Sequence, residues 1–453
     1  MKKKLPLVTV YITNHNYGKY IKQSINSVLN QTYENFELII IDDGSSDNSQ
    51  SIIEKYSENK KIKIIYQKNK GLAISNNIAI KICKGEYITR LDADDWLNPN
   101  FLQIMVNEAV NNRRASMIFC NYYLTNSRGQ VIDQFYRHEF TKVKLMDQPA
   151  HGACSLIKVK TLKDIGGYDE KFNCQDGVDL WLKIIGNHKV RNVNLPLFFY
   201  RQHGKSLTKN IKKIYKIRDK ILKKHTKNKK NFKNILAIIP VRGENYGETS
   251  VALKKLYKTP IIIKLINELK KTSTIKKILI SSPDNKILNL ISKKYKKNVI
   301  VHNRDEKLAR LNTPIEDTLL YSIKKIKSQK FKPDLILVVN VVCPFLNHKN
   351  FEAAIDLIKI FNTDEVIAVK KENDKFFYHN GKSLKPIQKE KNMSLEREEL
   401  YREIGGLHLI KPSKIGKKNN LIGHIFLDER SSFRINNEQD LILAQTMSKK
   451  NFN

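Results

Sequence analysis

No stretch of about 18 or more apolar residues occurs in this 453-residue chain, so no segment reads as a transmembrane helix. The start, Met1-Lys2-Lys3-Lys4-Leu5-Pro6, carries the charge of a signal sequence but no apolar core follows it, and it reads as a cytosolic start. The five cysteines, Cys83, Cys120, Cys154, Cys174 and Cys343, are scattered and form no CxxC pair. That excludes a cysteine zinc site or a disulfide framework and leaves small buried thiols in a reducing compartment. Acidic residues are scarce, 45 against 82 Lys and Arg, for a formal net charge of +37. No basic motif interleaved with aromatics and no helix-turn-helix accompanies that excess, so nucleic acid is not the expected partner. Most of the charge reads as Lys-rich composition spread along the chain, and it suits work against an anionic lipid surface or substrate.

What is present is two segments of the same design. Each opens with a short apolar strand and a polar turn, residues 7–12 then 13–17, and residues 235–239 then 240–247. Helical patterns then alternate with apolar strands, at 36–41, 62–66 and 87–91 in the first half and at 277–281, 299–302, 334–339 and 365–369 in the second. Such alternation predicts an α/β class with parallel sheets covered by helices, in two domains. Between them, residues 209–233 hold twelve Lys or Arg and one acid. Ile211, Ile214, Tyr215, Ile221 and Leu222 share one helical face there, which predicts a basic amphipathic helix that packs on the first domain or lies on a membrane surface, followed by a linker.

The chemistry sits at strand ends, where open α/β sheets bind ligands. Asp42-Asp43-Gly44-Ser45-Ser46-Asp47 follows the second strand; its carboxylates can accept from a base N–H or a ribose hydroxyl, although Asp-Gly-Ser is also ordinary turn chemistry. Asp92-Ala93-Asp94-Asp95 follows the strand at 87–91. Three carboxylates in four residues repel one another, and Mg²⁺ or Mn²⁺ would relieve that while neutralising a diphosphate leaving group.

Taken with residues 8–16, Asn69-Lys70-Gly71-Leu72 through Asn77, Gly85-Glu86-Tyr87-Ile88, Gly166-Gly167-Tyr168-Asp169, Cys174-Gln175-Asp176-Gly177-Val178-Asp179-Leu180-Trp181 and Tyr200-Arg201-Gln202-His203-Gly204-Lys205-Ser206, this order resembles the inverting glycosyltransferases of family 2, which have the GT-A fold. The resemblance covers nearly all of the first half. It implies a nucleotide site of Thr13, Asn16, Asp42, Asp43, Asn77 and Asp92, with Asp43 at the base. It implies a metal site of Asp92, Asp94 and His203, with Asp94 the main ligand, and Asp176 as the general base with Asp179 its rival. Two departures stand out. Asn76 occupies a position where the family often has Arg, which weakens a phosphate contact, and Gln175-Asp176 sits one residue further from Leu180 than the family's Glu-Asp. Tyr122, Tyr123, Tyr136 and Arg137, in the variable stretch 98–151, are acceptor contacts or plain surface.

In the second half, Ile238-Ile239-Pro240-Val241-Arg242-Gly243, Lys258-Thr259-Pro260-Ile261, Ile280-Ser281-Ser282-Pro283-Asp284 and Cys343-Pro344-Phe345 resemble acylneuraminate cytidylyltransferases. That implies a second Rossmann-like nucleotide-binding domain in tandem with the first, with Arg242 at its nucleotide. Parts of that family's site are missing: Tyr246, Val251 and Ala252 stand where two lysines and an asparagine belong, and Arg434-Ile435-Asn436 where a metal-binding Asp-x-Asp belongs. Arg has no lone pair to offer a metal. The half reads as a non-catalytic module, the alternative being a cytidylyltransferase that makes the donor.

The sequence thus predicts a family 2 domain at 1–208, a basic helix and linker at 209–233 and a cytidylyltransferase-like domain at 234–453. The first domain is expected to be metal-dependent and to move a sugar from a UDP-type donor to a glycan or lipid-linked acceptor in bacterial surface polysaccharide assembly. It is expected in the cytoplasm or peripherally on the inner membrane.

Overall fold

A computed structural model describes residues 5–135, 152–172, 174–204, 211–227, 229, 231–243, 251–296, 298–310, 312–327, 331–372, 376–387 and 400–449, without the side chains at 211–213, 215–216 and 371. Tyr136, Arg137, Lys205, Ser206 and Tyr246 lie outside the described residues, as do the side chains of Ile211 and Tyr215. The chain divides into two compact units at Ile221/Leu222.

Unit 1 contains strands β1 (Val8–Asn14), β2 (Phe36–Asp43), β3 (Ile62–Gln67), β4 (Tyr87–Asp92), β5 (Trp96–Leu97), β6 (Ala115–Thr125), β7 (Val131–Phe135), β8 (Leu156–Lys158) and β9 (Lys189–Arg201). Its helices are α1 (Gly18–Leu29), α2 (Ser49–Ile53), α3 (Leu72–Ile82), α4 (Phe101–Asn111), α5 (Val159–Asp164) and α6 (Asp176–Ile185), and α7 (Ile211–Thr226) crosses the division. The sheet order is β3-β2-β1-β4-β8-β6-β9-β5, with β7 on β6. Every strand read from the sequence is there. The expectation of a parallel sheet holds for β3-β2-β1-β4 and for the pairing of β6 with β9; β8 runs antiparallel to β4 and to β6, β7 antiparallel to β6, and β5 antiparallel to β9. The sheet is therefore mixed. The run β3-β2-β1-β4 is made by successive strand–helix units, and the rest brings back segments further apart in sequence.

In β1, Val8, Val10 and Ile12 alternate onto one face and pack with Ile21, Ile25 and Val28 of α1 and Phe101, Met105 and Val106 of α4. Period-two alternation sends Thr9, Tyr11 and Thr13 to the opposite face. Ile221 of α7 is fully buried, and Ile214 and Leu222 beside it are half-buried.

Unit 2 contains β10 (Ile235–Pro240), β11 (Lys255–Leu256), β12 (Thr259–Pro260), β13 (Ile275–Ser282), β14 (Val299–Asn303), β15 (Leu335–Val339), β16 (Glu365–Glu372), β17 (Phe377–His379), β18 (Leu384–Pro386), β19 (Leu400–Ile410) and β20 (Ile422–Phe426). Helices α8 (Ile261–Lys271), α9 (Asn285–Lys294), α10 (Ile315–Lys327), α11 (His348–Phe361) and α12 (Glu438–Lys449) accompany them. The main sheet, β14-β13-β10-β15-β19-β16-β20, is again mixed, with β19 antiparallel to both neighbours. Its strand β10 is buried on both faces. Ile235, Ala237 and Ile239 pack with Ile262 and Ile266 of α8, while Leu236 and Ile238 pack with Leu319, Ile323 and Ile326 of α10. A strand covered twice needs a continuous apolar run, which is what 235–239 is. No described helix is long and apolar enough to cross a membrane. All five cysteines are free thiols, four of them buried.

Candidate active site

Parallel register decides which residues meet at the carboxyl edge of unit 1. Asn14 stands beside Asp42, and Thr13 beside both Ile41 and Asp92. Asn14 Nδ2 donates to Asp42 Oδ2 at 2.8 Å and to Ser45 Oγ at 3.0 Å. Asp42 also accepts from Ser45 N and Gln50 Nε2 and is fully buried, so its carboxylate organises the loop. Asn16, at φ 61, accepts at Oδ1 from the amides of Ser46 and Asp47. Asp43 accepts from Gln67 Nε2 (2.7 Å) and from the Lys70 and Gly71 amides (2.8 Å each). That tight seam explains Gly44, at φ +73, where a Cβ would stand 2.6 Å from Asn69 N. His15, which the sequence reading gave no role, lies over the same seam with Nδ1 2.9 Å from the Asp43 carbonyl and Nε2 3.1 Å from Asn69 Nδ2.

The acidic loop resolves its repulsion residue by residue. Asp92 pairs with Arg90, Nε to Oδ1 at 3.0 Å. Burial still pushes its carboxyl up to about 6, with Arg90 opposing and Asp94 and Asp176 adding. Asp94 Oδ2 lies 2.9 Å from His203 Nε2. The His203 ring is stacked on Tyr20 and set edge-on to Tyr17. Asp95 is buried and accepts the Arg201 amide at 2.8 Å; burial, then Asp94 and Asp92, hold its carboxyl well above the ordinary carboxylate range. Arg201 fixes the loop from the other side. Its Nε donates to the Asp94 carbonyl (2.8 Å), Nη2 to Gln23 Oε1 (2.6 Å) and Nη1 to Ser127 O (3.2 Å), and its guanidinium lies over the Tyr20 and Trp96 rings.

The two candidate bases separate. Asp176, at the N-terminus of α6, accepts Arg90 Nη1 at 2.6 Å and Asn76 Nδ2 at 3.4 Å, both on Oδ2. Its side chain keeps 12% exposure. Asp179, one turn on, is 1% exposed and pairs with Lys183 at 3.3 Å, whose Nζ also donates to Gly167 O. Asn76 therefore lies against Asp176. Asn77 clamps the next turn: Oδ1 accepts the Tyr168 amide, and Nδ2 donates to Tyr168 O and Glu170 Oε1. The approach of α6 to Arg90 depends on two facing glycines. A Cβ on Gly177 would stand 2.8 Å from Gly152 Cα, and one on Gly152 would stand 3.1 Å from Arg90 Nη2. Gly177→Ala should therefore cost about 1–3 kcal/mol, as overpacking does, and lower the urea midpoint of the full chain; an unchanged midpoint would mean that the contact relaxes freely.

Among the described residues, no group of three or more His, Cys, Asp or Glu side chains is placed to hold a metal ion. Of the three expected ligands, Asp94 and His203 meet, and Asp92 is engaged by Arg90. Adjacent donors on an octahedral ion with bonds of about 2.1 Å stand about 3 Å apart. The 2.9 Å between Asp94 Oδ2 and His203 Nε2 would suit two neighbouring ligands of a divalent ion.

Arg90, Asp95 and Arg201 are the residues the sequence reading left without a role. A cation inside the apolar strand at 87–91 was the signal for Arg90.

In unit 2, Arg242 is exposed, while Arg304 is buried and donates to Val241 O and Thr318 Oγ1. Val251 and Ala252 are core residues. Arg434 Nη1 donates to the Ile404 carbonyl, and the Asn436 amide donates to Asp440.

A family model described as "Glycosyl transferase family 2" matches residues 9–166. The chain is 29% identical over 203 residues to the chondroitin synthase of Pasteurella multocida, covering 44% of this chain and 21% of that protein. It is 33% identical over 241 residues to an uncharacterized glycosyltransferase of Methanocaldococcus jannaschii, covering 51% of this chain and 82% of that one. A crystal structure of S. aureus TarS 1-349 in complex with UDP-GlcNAc is similar over 49% of this chain and 66% of that chain, at 18% identity and a TM-score of 0.41. The chain spans between about a fifth and a third of the length of the chondroitin and hyaluronan synthases it matches.

Proposed function

Since the chain belongs to glycosyl transferase family 2 and is a glycosyltransferase, we propose that unit 1 transfers a sugar with inversion from a UDP-type donor to a glycan or lipid-linked acceptor in surface polysaccharide assembly. The observation that carries this is the convergence at one sheet edge of the Asp94–His203 pair and Asp176. The acceptor hydroxyl gives its proton to Asp176 as its oxygen attacks the anomeric carbon, and the bond to the nucleoside diphosphate breaks with the electron pair leaving on phosphate oxygen. The loop around Asp42, Asp43 and Asn16 receives the nucleoside, and Thr13 and Asp92 stand beside it. Asp94 and His203 would hold a divalent ion, which when bound would supply charge neutralisation for the leaving diphosphate. Arg201 keeps those side chains aimed by holding the Asp94 carbonyl and accommodating Asp95. Kinship with chondroitin synthase supports a polysaccharide product.

For unit 2 we favour a non-catalytic nucleotidyltransferase-like module. Val251 and Ala252, at the positions of a triphosphate cradle, are buried among apolar side chains, and Arg434 braces the main chain at Ile404. The alternative is an active CMP-sugar cytidylyltransferase, with Arg242 at its nucleotide.

Calorimetry on the full chain with Mn²⁺ tests both. UDP should bind in one metal-dependent site, and CTP and CMP should give no heat. No UDP binding would overturn the donor assignment. Tight, metal-dependent CTP binding would make donor synthesis the reading for unit 2.

A further inference from the structure

We propose that Arg90 is a positioning residue for transfer, tying Asp176 to the acidic loop and fixing which oxygen of Asp176 is left for the acceptor proton. This rests on the reading of Asp176 as the base.

Arg90 and Asp92 are two residues apart on β4, so they project from the same face of the strand. Tyr11 of β1 is the register neighbour of Arg90, and Tyr168 lies near by. Arg90 is almost wholly buried, yet no water is needed to stabilise its charge, because it lies between two carboxylates. Nη1 reaches Asp176 Oδ2 at 2.6 Å, and Nε reaches Asp92 Oδ1 at 3.0 Å. A planar guanidinium presents its donors in a fixed fork, which a lysine ammonium cannot do. One rigid group thus sets the distance between the base and the loop that carries Asp94.

The asymmetry on Asp176 matters most. Both of its donors, Arg90 Nη1 and Asn76 Nδ2, fall on Oδ2. Among the described residues Oδ1 takes no hydrogen bond, so it is the oxygen with a lone pair to offer an acceptor hydroxyl. The contact is built into the fold: Gly177 and Gly152 face each other so closely that α6 can bring Asp176 onto Arg90 only with both side chains absent. A group that holds the base in place acts on turnover, since a shift of about 1 Å at a reacting group can cost about a hundredfold. Its effect on nucleotide affinity runs only through Asp92 and is the smaller of the two.

The test uses the full chain with Arg90→Met, Arg90→Lys, Asp176→Asn and the two doubles, reading UDP release from UDP-N-acetylglucosamine, UDP-glucose and UDP-galactose, and UDP binding with Mn²⁺. Arg90→Met should lower kcat about a hundredfold while the UDP Kd stays within about threefold. Arg90→Lys, which keeps the charge but not the fork, should recover about tenfold of that loss. In the Asp176→Asn background neither change should lower kcat further, because the group being positioned has already lost its function. Multiplying effects in the doubles, or a Kd change in place of a kcat change, would overturn the proposal. Should Arg90→Met not fold, Arg90→Lys and its double decide alone. Wild-type turnover by Asp176→Asn would sink the base assignment and this proposal with it; low turnover there alongside unimpaired Arg90 variants would sink the proposal alone.

Discussion

Replacing Asp94 with Ala is expected to lower transfer by about a thousandfold or more and to remove its dependence on Mn²⁺. The change is clean because the loop is held by main chain at that point. Arg201 Nε donates to the Asp94 carbonyl, and the Arg201 amide donates to Asp95, so neither anchor involves the Asp94 carboxylate. What the variant loses is the partner of His203 and one of the two donors that stand at metal-ligand spacing. The leaving diphosphate then departs with its charge unscreened. UDP should still bind through the loop around Asp42 and Asp43, but Mn²⁺ should no longer strengthen that binding. Initial rates with and without a chelator, together with UDP calorimetry at several Mn²⁺ concentrations, check it. An active, chelator-insensitive variant would dismiss the metal assignment.

Asp176→Asn should lower kcat by about a hundredfold to ten-thousandfold, the range for loss of a general base, with UDP affinity unchanged. The amide is isosteric, and its oxygen can still accept from Arg90 Nη1, so the seam between α6 and β4 persists. It has no carboxylate to receive the acceptor proton. Asp179→Asn should behave in the opposite way. Asp179 is buried against Lys183, so that substitution should weaken the fold and leave turnover within a few-fold. Paired kinetics and urea melts on the two variants separate the cases, and an exchange of the two phenotypes would show that the base had been assigned to the wrong carboxylate.

The strands of both units were legible because each is an apolar run bounded by turn chemistry. β10 is the plainest example, with five buried residues in a row. The positions of Asp42, Asp43, Asp92 and Asp94 followed from the same reading, since all lie at or just beyond the ends of parallel strands. Other parts were not legible. The antiparallel pairing of β4 with β8 joins segments some seventy residues apart, and local pattern carries no trace of it. The mixed sheet was therefore read as parallel. Asn76 was taken as a weakened phosphate contact because of the residue it replaces; only the packing of α3 against α6 puts it at Asp176. Arg90 drew no reading from the sequence, because the carboxylate that gives it a role, Asp176, lies 86 residues on. The difference in burial between Asp176 and Asp179 is likewise something sequence spacing does not supply.

Strand β9 has a consequence for the order in which the protein is made. It pairs along β6, holds β5 at the sheet's end, and delivers Arg201 and, two residues later, His203 to the acidic loop. Asp92, Asp94 and Asp95 leave the ribosome roughly a hundred residues before those partners. At synthesis rates of about 5–20 residues per second, a growing chain carries its carboxylates without Arg201 or His203 for several seconds. A nascent chain cut short before β9 therefore carries Asp92, Asp94 and Asp95 but neither of the residues that meet them from β9 and just beyond it.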